Sequence, residues 1–132
     1  MKFGNILGWL GCLALVTAAF GSNAFGETPK ADGFGCAKPR AATASEVALI
    51  RKAMEEKLLD SDSAKFLDVK ICEGDEGHSL CGKVNAKNSY GAYAGYKGFM
   101  GLLVPNKEAF ILAIDDSESA AAESVCRKSG YY

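Results

Sequence analysis

The only histidine of the sequence, His78, lies between two cysteines, Cys72 and Cys81, in a segment that also holds Asp75 and Glu76. Thiolate and imidazole are ligands that zinc prefers, so these side chains suggest a zinc site. The spacing matches no common zinc pattern, however, and in an oxidising compartment the two cysteines would form a disulfide instead. We therefore predict no metal site and a solvated loop histidine.

Hydrolytic chemistry is the second possibility that the sequence raises. Nucleophilic catalysis needs a nucleophile, a base and a group that orients the base, and only His78 is available as a histidine base. A turn and a helix start explain the acidic pairs Asp75-Glu76 and Asp115-Asp116, so these pairs do not indicate carboxylates facing each other across a cleft. We predict that the protein is not an enzyme and needs no cofactor. A small cell-envelope hydrolase that uses His78 is the alternative.

The segment from Cys81 to Phe99 is the best candidate for a binding surface. It is richer in glycine, tyrosine and lysine than an ordinary strand sequence. Alternate residues of a strand share one face, and tyrosine rings offer rigid contact area beside lysine and asparagine donors. Such a surface could hold a carboxylate, a glycan or a protein loop. The predicted contact residues are Lys83, Asn85, Lys87, Asn88, Tyr90, Tyr93 and Tyr96.

A purely structural interpretation of this segment is also open. Glycines mark places where a strand bends or bulges, tyrosines can cover a hydrophobic rim, and lysines can simply be solvated. The asparagines can hydrogen-bond to the backbone of a turn. Under this interpretation the protein is a structural domain of the cell envelope.

The first 24 residues predict export. Lys2 is their only charged residue, Ile6 to Phe20 is an apolar run, and small residues lead up to Ala24. These features are typical of a signal peptide, here cleaved after Ala24. A membrane anchor would need about 20 apolar residues, and acylation at Cys12 would leave too short a core before it. We predict a periplasmic or extracellular protein with no membrane span after cleavage.

The predicted mature chain is small and almost neutral. Loss of Lys2 leaves 14 basic and 16 acidic residues, whereas a nucleic-acid binder would show a basic surface. We therefore expect no nucleic-acid partner. The four cysteines that remain are an even number in a small exported chain, which indicates a disulfide framework.

Residues 25–42 predict an extended leader, because Gly, Pro and Ala are frequent there. Thr43 and Glu46 have the spacing of a capping box, and apolar residues at helical spacing predict a helix from about Ser45 to Leu59. The pattern then alternates, which predicts a hairpin of two strands with one buried face. Leu67 is assigned to that buried face.

Two disulfides follow from this hairpin. Cys72 and Cys81 fall on its polar face near the loop, where neighbouring residues on the two strands lie close together. We therefore predict a Cys72–Cys81 disulfide and, by elimination, a Cys36–Cys126 disulfide.

Two further apolar strands, Phe99–Val104 and Ala109–Ile114, complete the sheet, and Pro105-Asn106 joins them in a turn. A short helix follows, which we expect to open at Asp115 and to close near Lys128. The sequence thus predicts an α+β domain over residues 43–132, in which an N-terminal helix packs on a four-stranded antiparallel sheet, with a short C-terminal helix and disulfides.

Two segments carry a specific likeness to known proteins: Ser63-Ala-Lys-Phe66 and the block that begins Cys81-Gly-Lys-Val-Asn-Ala-Lys-Asn-Ser-Tyr. They resemble a family of small bacterial proteins, exported or phage-associated, whose function is unknown. The sequence departs from the family at Ser61, where proline is usual, and at Ala92, where glycine is frequent. The resemblance implies export and carries no catalytic assignment.

Together these patterns predict an exported, non-enzymatic binding or accessory protein. Its expected partner is an envelope protein or a cell-wall or glycan ligand.

Overall fold

The computed structural model describes residues 35–132. The predicted signal peptide and most of the predicted leader lie outside these residues. The chain forms an antiparallel five-stranded sheet in which strands follow one another in chain order, and a helix packs on each face. The elements are β1 (Arg40–Ala41), α1 (Ala44–Met54), β2 (Lys65–Cys72), β3 (His78–Asn85), β4 (Lys97–Val104), β5 (Glu108–Ile114) and α2 (Ala121–Lys128).

The predicted α+β class and antiparallel sheet are confirmed, but the sheet has five strands rather than four. The additional strand is β1, which lies within the predicted leader and pairs its two residues with Ile71 and Lys70 of β2. A two-residue strand is too short to show an alternating pattern, so periodicity could not reveal it.

The capping box at the start of α1 is confirmed. The backbone N–H of Glu46 donates to the Thr43 hydroxyl at 3.3 Å, and the backbone N–H of Thr43 donates to the Glu46 carboxylate at 2.8 Å. The helix ends at Met54, earlier than predicted, and a turn continues the chain to Leu58. Ile50 and Met54 are fully buried against the sheet, which fixes α1 over one face.

The face of the sheet beneath α1 holds the main core. Phe99 and Leu103 of β4 are fully buried there, together with Ile71 and Leu80 of the preceding strands. The prediction for Leu67 was wrong, since this side chain is exposed. A bulge between Leu67 and Lys70 interrupts the pairing of β2 with β3. Because the bulge shifts the alternation by one residue, Phe66 faces the core before it, and Val69 and Ile71 face the core after it.

The predicted disulfides are wrong in their pairing. The bonds join Cys36 to Cys72 and Cys81 to Cys126. Cys72 and Cys81 do share a face of the sheet, as predicted, but they are not directly opposite each other. Cys72 lies opposite Ser79, and Cys81 lies opposite Lys70, so each cysteine bonds instead to a segment that crosses over the face.

The two disulfides, together with Tyr131 and Met100, form the apolar layer beneath α2. Tyr131 is almost fully buried, and its hydroxyl shares a hydrogen bond with the Ser79 hydroxyl. Burial raises the pKa of Tyr131. The backbone N–H of Cys36 also donates to the Ser129 carbonyl at 2.8 Å, so the chain before β1 and the end of α2 are held together.

The second helix begins at Ala121 rather than at Asp115. The buried carboxylate of Asp115 nevertheless serves the helix start, because it accepts the backbone N–H groups of Ala122 and Glu123 at 2.7 and 2.9 Å. The negative charge therefore lies at the positive end of the helix, as predicted, although the acidic residue comes from outside the helix.

Peptide mapping under non-reducing conditions should recover Cys36–Cys72 and Cys81–Cys126 peptides. Replacement of the Cys81–Cys126 pair by alanines should lower the free energy of unfolding by about 4 kcal/mol, because the bond closes a loop of 45 residues. Chemical denaturation measures this loss. Recovery of a Cys72–Cys81 peptide from folded protein would contradict the structure.

A second prediction concerns acid stability. The guanidinium of Arg40 donates to both carboxylate oxygens of Glu46 at 2.7 and 2.8 Å and also binds Glu73. The hydrogen bonds from Arg40 lower the pKa of Glu46 from 4.5 to about 2. Because the pKa is lowered in the folded state, the stabilisation is complete above about pH 4.5 and is lost as the pH falls towards 2.

We expect Glu46→Gln to destabilise the protein by about 1 kcal/mol near neutral pH, a modest loss because Arg40 is partly exposed. The difference from wild type should shrink as the pH approaches 2. Glutamine keeps one oxygen as the acceptor of the capping box, but it removes the charge and replaces the second acceptor of Arg40 with an amide donor. Glu55→Gln, an exposed glutamate just after the helix, is the matched control. A loss that does not depend on pH would show that the ion pair contributes nothing.

Candidate functional site

Eleven residues, 86–96, join β3 to β4, and they are referred to below as the tyrosine loop. The loop folds back on itself, because Lys87 and Tyr93 form an isolated antiparallel bridge. Its tip turns through Gly91, at φ 74°, and it rejoins the sheet through Gly95, at φ 101°. Both φ values lie in the region that favours glycine, so these two glycines allow the compact return of the chain.

Two asparagine side chains hold the tyrosine loop in shape. The side-chain oxygen of Asn88 accepts the backbone N–H groups of Tyr90 and Ala92 at 2.9 and 3.2 Å. The side-chain oxygen of Asn85 accepts the backbone N–H of Gly95 at 3.2 Å. The structural alternative for the asparagines is therefore observed, since both carbonyl oxygens serve the backbone of the loop.

The tyrosine loop is also tied to the turn that precedes β2. The Tyr93 hydroxyl donates to the Ser63 carbonyl at 2.9 Å, and the backbone N–H of Lys87 donates to the Ser63 hydroxyl at 2.9 Å. The ammonium group of Lys65 lies 4.4 Å from the centre of the Tyr93 ring, and that of Lys87 lies 5.8 Å away. Attraction between these cations and the ring adds to the hydrogen bonds.

The three tyrosines nevertheless remain accessible. Tyr90 is 92% exposed at the tip of the loop, whereas Tyr96 and Tyr93 are 46% and 39% exposed. Leu59, in the turn after α1, is 82% exposed. An exposed aromatic group on a braced loop is the arrangement typical of a contact surface.

Six of the seven predicted contact residues lie on or beside the tyrosine loop, and Lys83 does not. The Lys83 ammonium lies 3.9 Å from the Glu123 carboxylate and 5.5 Å from the centre of the Tyr132 ring. Lys83 thus belongs to the face covered by α2. The prediction grouped Lys83 with Asn85 and Lys87 because alternate residues of a strand share one face. This rule does not hold for Lys87, because β3 ends at Asn85 and the chain then leaves the sheet.

Sequence reasoning missed the contribution of Ser63 and Lys65 to this surface. The separation between these residues and the loop, 24 positions from Ser63 to Lys87, hides the contact from any local pattern. The sequence did hold one indication of this contact. Both residues belong to the Ser-Ala-Lys-Phe segment, which is one of the two segments that carry the resemblance, and the glycine–tyrosine block is the other. The structure brings these two segments into contact.

The prediction of a solvated loop histidine was wrong, because His78 is the first residue of β3 and is half-buried. It lies at the end of β3 away from the tyrosine loop. Its Nδ1 accepts the backbone N–H of Gly74 at 3.2 Å, and within residues 35–132 no serine, threonine or cysteine side chain hydrogen-bonds to it. The neighbouring Ser79 hydroxyl is paired with Tyr131 instead. In the same residues no group of three or more His, Cys, Asp or Glu side chains is arranged to hold a metal ion.

A groove between α1 and β5 has a volume of about 610 Å³. Apolar residues such as Leu49 and Phe110 share its lining with both lysines and glutamates. Charges of both signs are therefore present, and the lining favours neither an anionic nor a cationic ligand.

A scan against models of protein families, a search of curated proteins and a search of solved structures each found no match to this chain. The resemblance described from the sequence therefore stays a prediction. No helix in residues 35–132 is long and apolar enough to cross a membrane.

The bracing of the tyrosine loop can be tested with Asn88→Ala. This change removes the acceptor of two backbone N–H groups, so exchange of the Tyr90 and Ala92 amide hydrogens should accelerate by about tenfold. The melting temperature should change little, because Asn88 itself is exposed and is not part of the core. Hydrogen exchange followed by NMR provides the measurement. Ser89→Ala is the control, and equal exchange rates in the two variants would contradict the proposed bracing.

Proposed function

We propose that this protein is an exported, non-enzymatic binding module that captures a partner through the tyrosine loop. Export is supported by the signal-peptide pattern of the first 24 residues and by two disulfides, which indicate an oxidising compartment. The periplasm and the extracellular space both fit this proposal.

The observation that carries the proposal is an exposed aromatic loop that is already ordered by its own contacts. Tyr90 projects almost completely into solvent, while Asn88 and Tyr93 tie the backbone on either side of it. Binding by a flexible loop costs conformational entropy, and bracing in advance reduces that cost. Tyrosine is frequent among the residues that dominate binding energy, since it offers a large rigid area and a polar end.

The expected partner is an envelope protein or a cell-wall fragment. Lys65 and Lys87 lie at the Tyr93 ring, and neither forms an ion pair with a carboxylate within residues 35–132. A partner that carries carboxylates would complement these positive charges. Tyr90 and Tyr96 would supply the aromatic contact.

Site-specific photo-crosslinking in the producing cells tests the proposal. A photoreactive phenylalanine analogue replaces Tyr90 in one protein and Tyr132, which is 40% exposed near α2, in the control. We expect a discrete crosslinked product from position 90 and no such product from position 132. The same products from both positions, or none from position 90, would contradict a contact surface on the tyrosine loop.

Competition adds a quantitative measurement. Unlabelled wild-type protein should suppress crosslinking from position 90, and the Tyr90→Ala/Tyr96→Ala variant should require about tenfold or more protein for the same effect. Tyr132→Ala should compete as wild type does. If the double variant competes equally well, the tyrosine rings are not the binding groups.

A further inference from the structure

A small groove lies beside the tyrosine loop, between the loop and the residues that follow α1. Its volume is about 220 Å³, which is below the range of about 300–1,000 Å³ usual for sites that bind drug-sized ligands. The groove therefore has room for one side chain or one small terminal group. A nucleotide or a large cofactor would not fit.

The lining of this groove is mostly apolar. Val84 is buried at the end of β3, and Ile114, at the end of β5, is half-buried. Leu58 and two alanines, Ala86 and Ala94, extend the apolar lining. A short aliphatic group is the kind of ligand that such a surface would remove from water.

The charged residues that line the groove are all lysines: Lys57, Lys87 and Lys97. None of the three forms an ion pair with a carboxylate within residues 35–132. Asp60 follows nearby in the chain, but it does not line the groove, and its carboxylate accepts the backbone N–H of Ser63 at 3.1 Å. The groove thus combines a mostly apolar lining with three lysines and no acidic residue. The ammonium group of Lys87 lies 5.8 Å from the centre of the Tyr93 ring, beside the groove.

Asn88 adds polar donors to the same lining. Its carbonyl oxygen accepts two loop N–H groups, and this pattern fixes which end of the side-chain amide faces the loop backbone. The side-chain amide nitrogen has no hydrogen-bond partner in the part of the chain that the structure describes. Its two N–H groups are therefore free to donate to a ligand bound beside Asn88.

We infer that this groove binds the C-terminal residue of a partner peptide, with the free carboxylate among the three lysines and an aliphatic side chain on the apolar lining. This inference rests on the proposed function, since it names the part of the partner that the groove would hold. A C-terminal residue carries a carboxylate and a side chain on the same Cα atom, so it presents both groups within the space of one residue. A glutamate within a peptide has no aliphatic side chain of its own beside the carboxylate.

Two small probes test this inference on the purified full-length mature protein. N-acetyl-alanyl-leucine has a free carboxylate, whereas N-acetyl-alanyl-leucinamide has the same shape without the charge. NMR titration should show saturable shifts at the amides of Ala86, Gly95 and Ile114 with the acid. N-acetyl-alanyl-leucinamide should bind at least about tenfold more weakly than the acid.

Charge variants locate the binding. Lys57→Gln/Lys87→Gln/Lys97→Gln should weaken binding of the acid by about tenfold or more and leave the weak binding of the amide unchanged. Lys52→Gln/Lys107→Gln/Lys128→Gln removes equal charge from other positions and should bind the acid as wild type does. The NMR spectrum of each variant shows whether the fold is retained.

Equal binding of acid and amide, equal binding by the two triple variants, or no saturable shift at about 10 mM probe would overturn the inference. Crosslinking from position 90 tests the proposed contact surface independently of the groove, so the two hypotheses can fail separately. If position 90 crosslinks a partner while the acid does not bind, the loop is a contact surface and the groove is not a carboxylate site. Binding of the acid without any crosslink at position 90 would retain the groove and remove the role of Tyr90.

Discussion

The disulfide layer beneath α2 is the constraint on which the rest of the structure depends. This helix has only eight residues and buries just Ala122 and Cys126, so apolar packing alone holds it weakly. The Cys81–Cys126 bond fixes it to the middle strand, and the Cys36–Cys72 bond fixes the chain before β1 to the neighbouring strand. One face of the sheet therefore holds the main hydrophobic core, and on the other face a smaller cluster that contains both disulfides holds α2. Leu102 and Phe110, which pair on this second face, remain exposed.

The position of the disulfides also leaves the opposite end of the sheet available for binding. Cys72 and Ser79 lie beside the β2–β3 connection, whereas the tyrosine loop begins where β3 ends at Asn85. Ala86 at the start of the loop packs against the core, whereas the three tyrosines of the loop are exposed and are not part of it. The order of the loop comes from local hydrogen bonds and from Ser63, which makes a rigid, exposed aromatic surface possible.

Local patterns in the sequence were sufficient to predict both helices and the strands β2 to β5, but not β1 and not the register of the strands. The capping box at Thr43 and the alternation through β3 depend on neighbouring residues and were correctly identified. The pairing of the cysteines depends on register, and the residue pairs that contain Cys72 and Cys81 are two positions apart along the two strands. The two-residue β1 and the bulge at Asp68 leave too little periodic signal to be detected.

In the candidate site, too, local features were predicted correctly and features that depend on tertiary contacts were not. The glycine–tyrosine block is recognisable in the sequence, and most of its predicted contact residues lie together in the structure. Lys83 was misplaced because α2 lies over it, and Lys65 was missed because a tertiary contact brings it to Tyr93. Local sequence patterns therefore reveal the glycine–tyrosine surface itself. They do not reveal residues such as Lys65, which reach that surface through tertiary contacts.

The central claim is that the tyrosine loop is ordered before any partner binds, and backbone ¹⁵N relaxation of the free protein tests it most directly. Our account predicts order parameters of about 0.8 or more for residues 88–95, similar to those of the sheet. Values below about 0.6 in the loop, with a rigid sheet, would contradict the claim. The exposed tyrosines would then belong to a flexible segment, and the structural basis for a preformed binding surface would be lost.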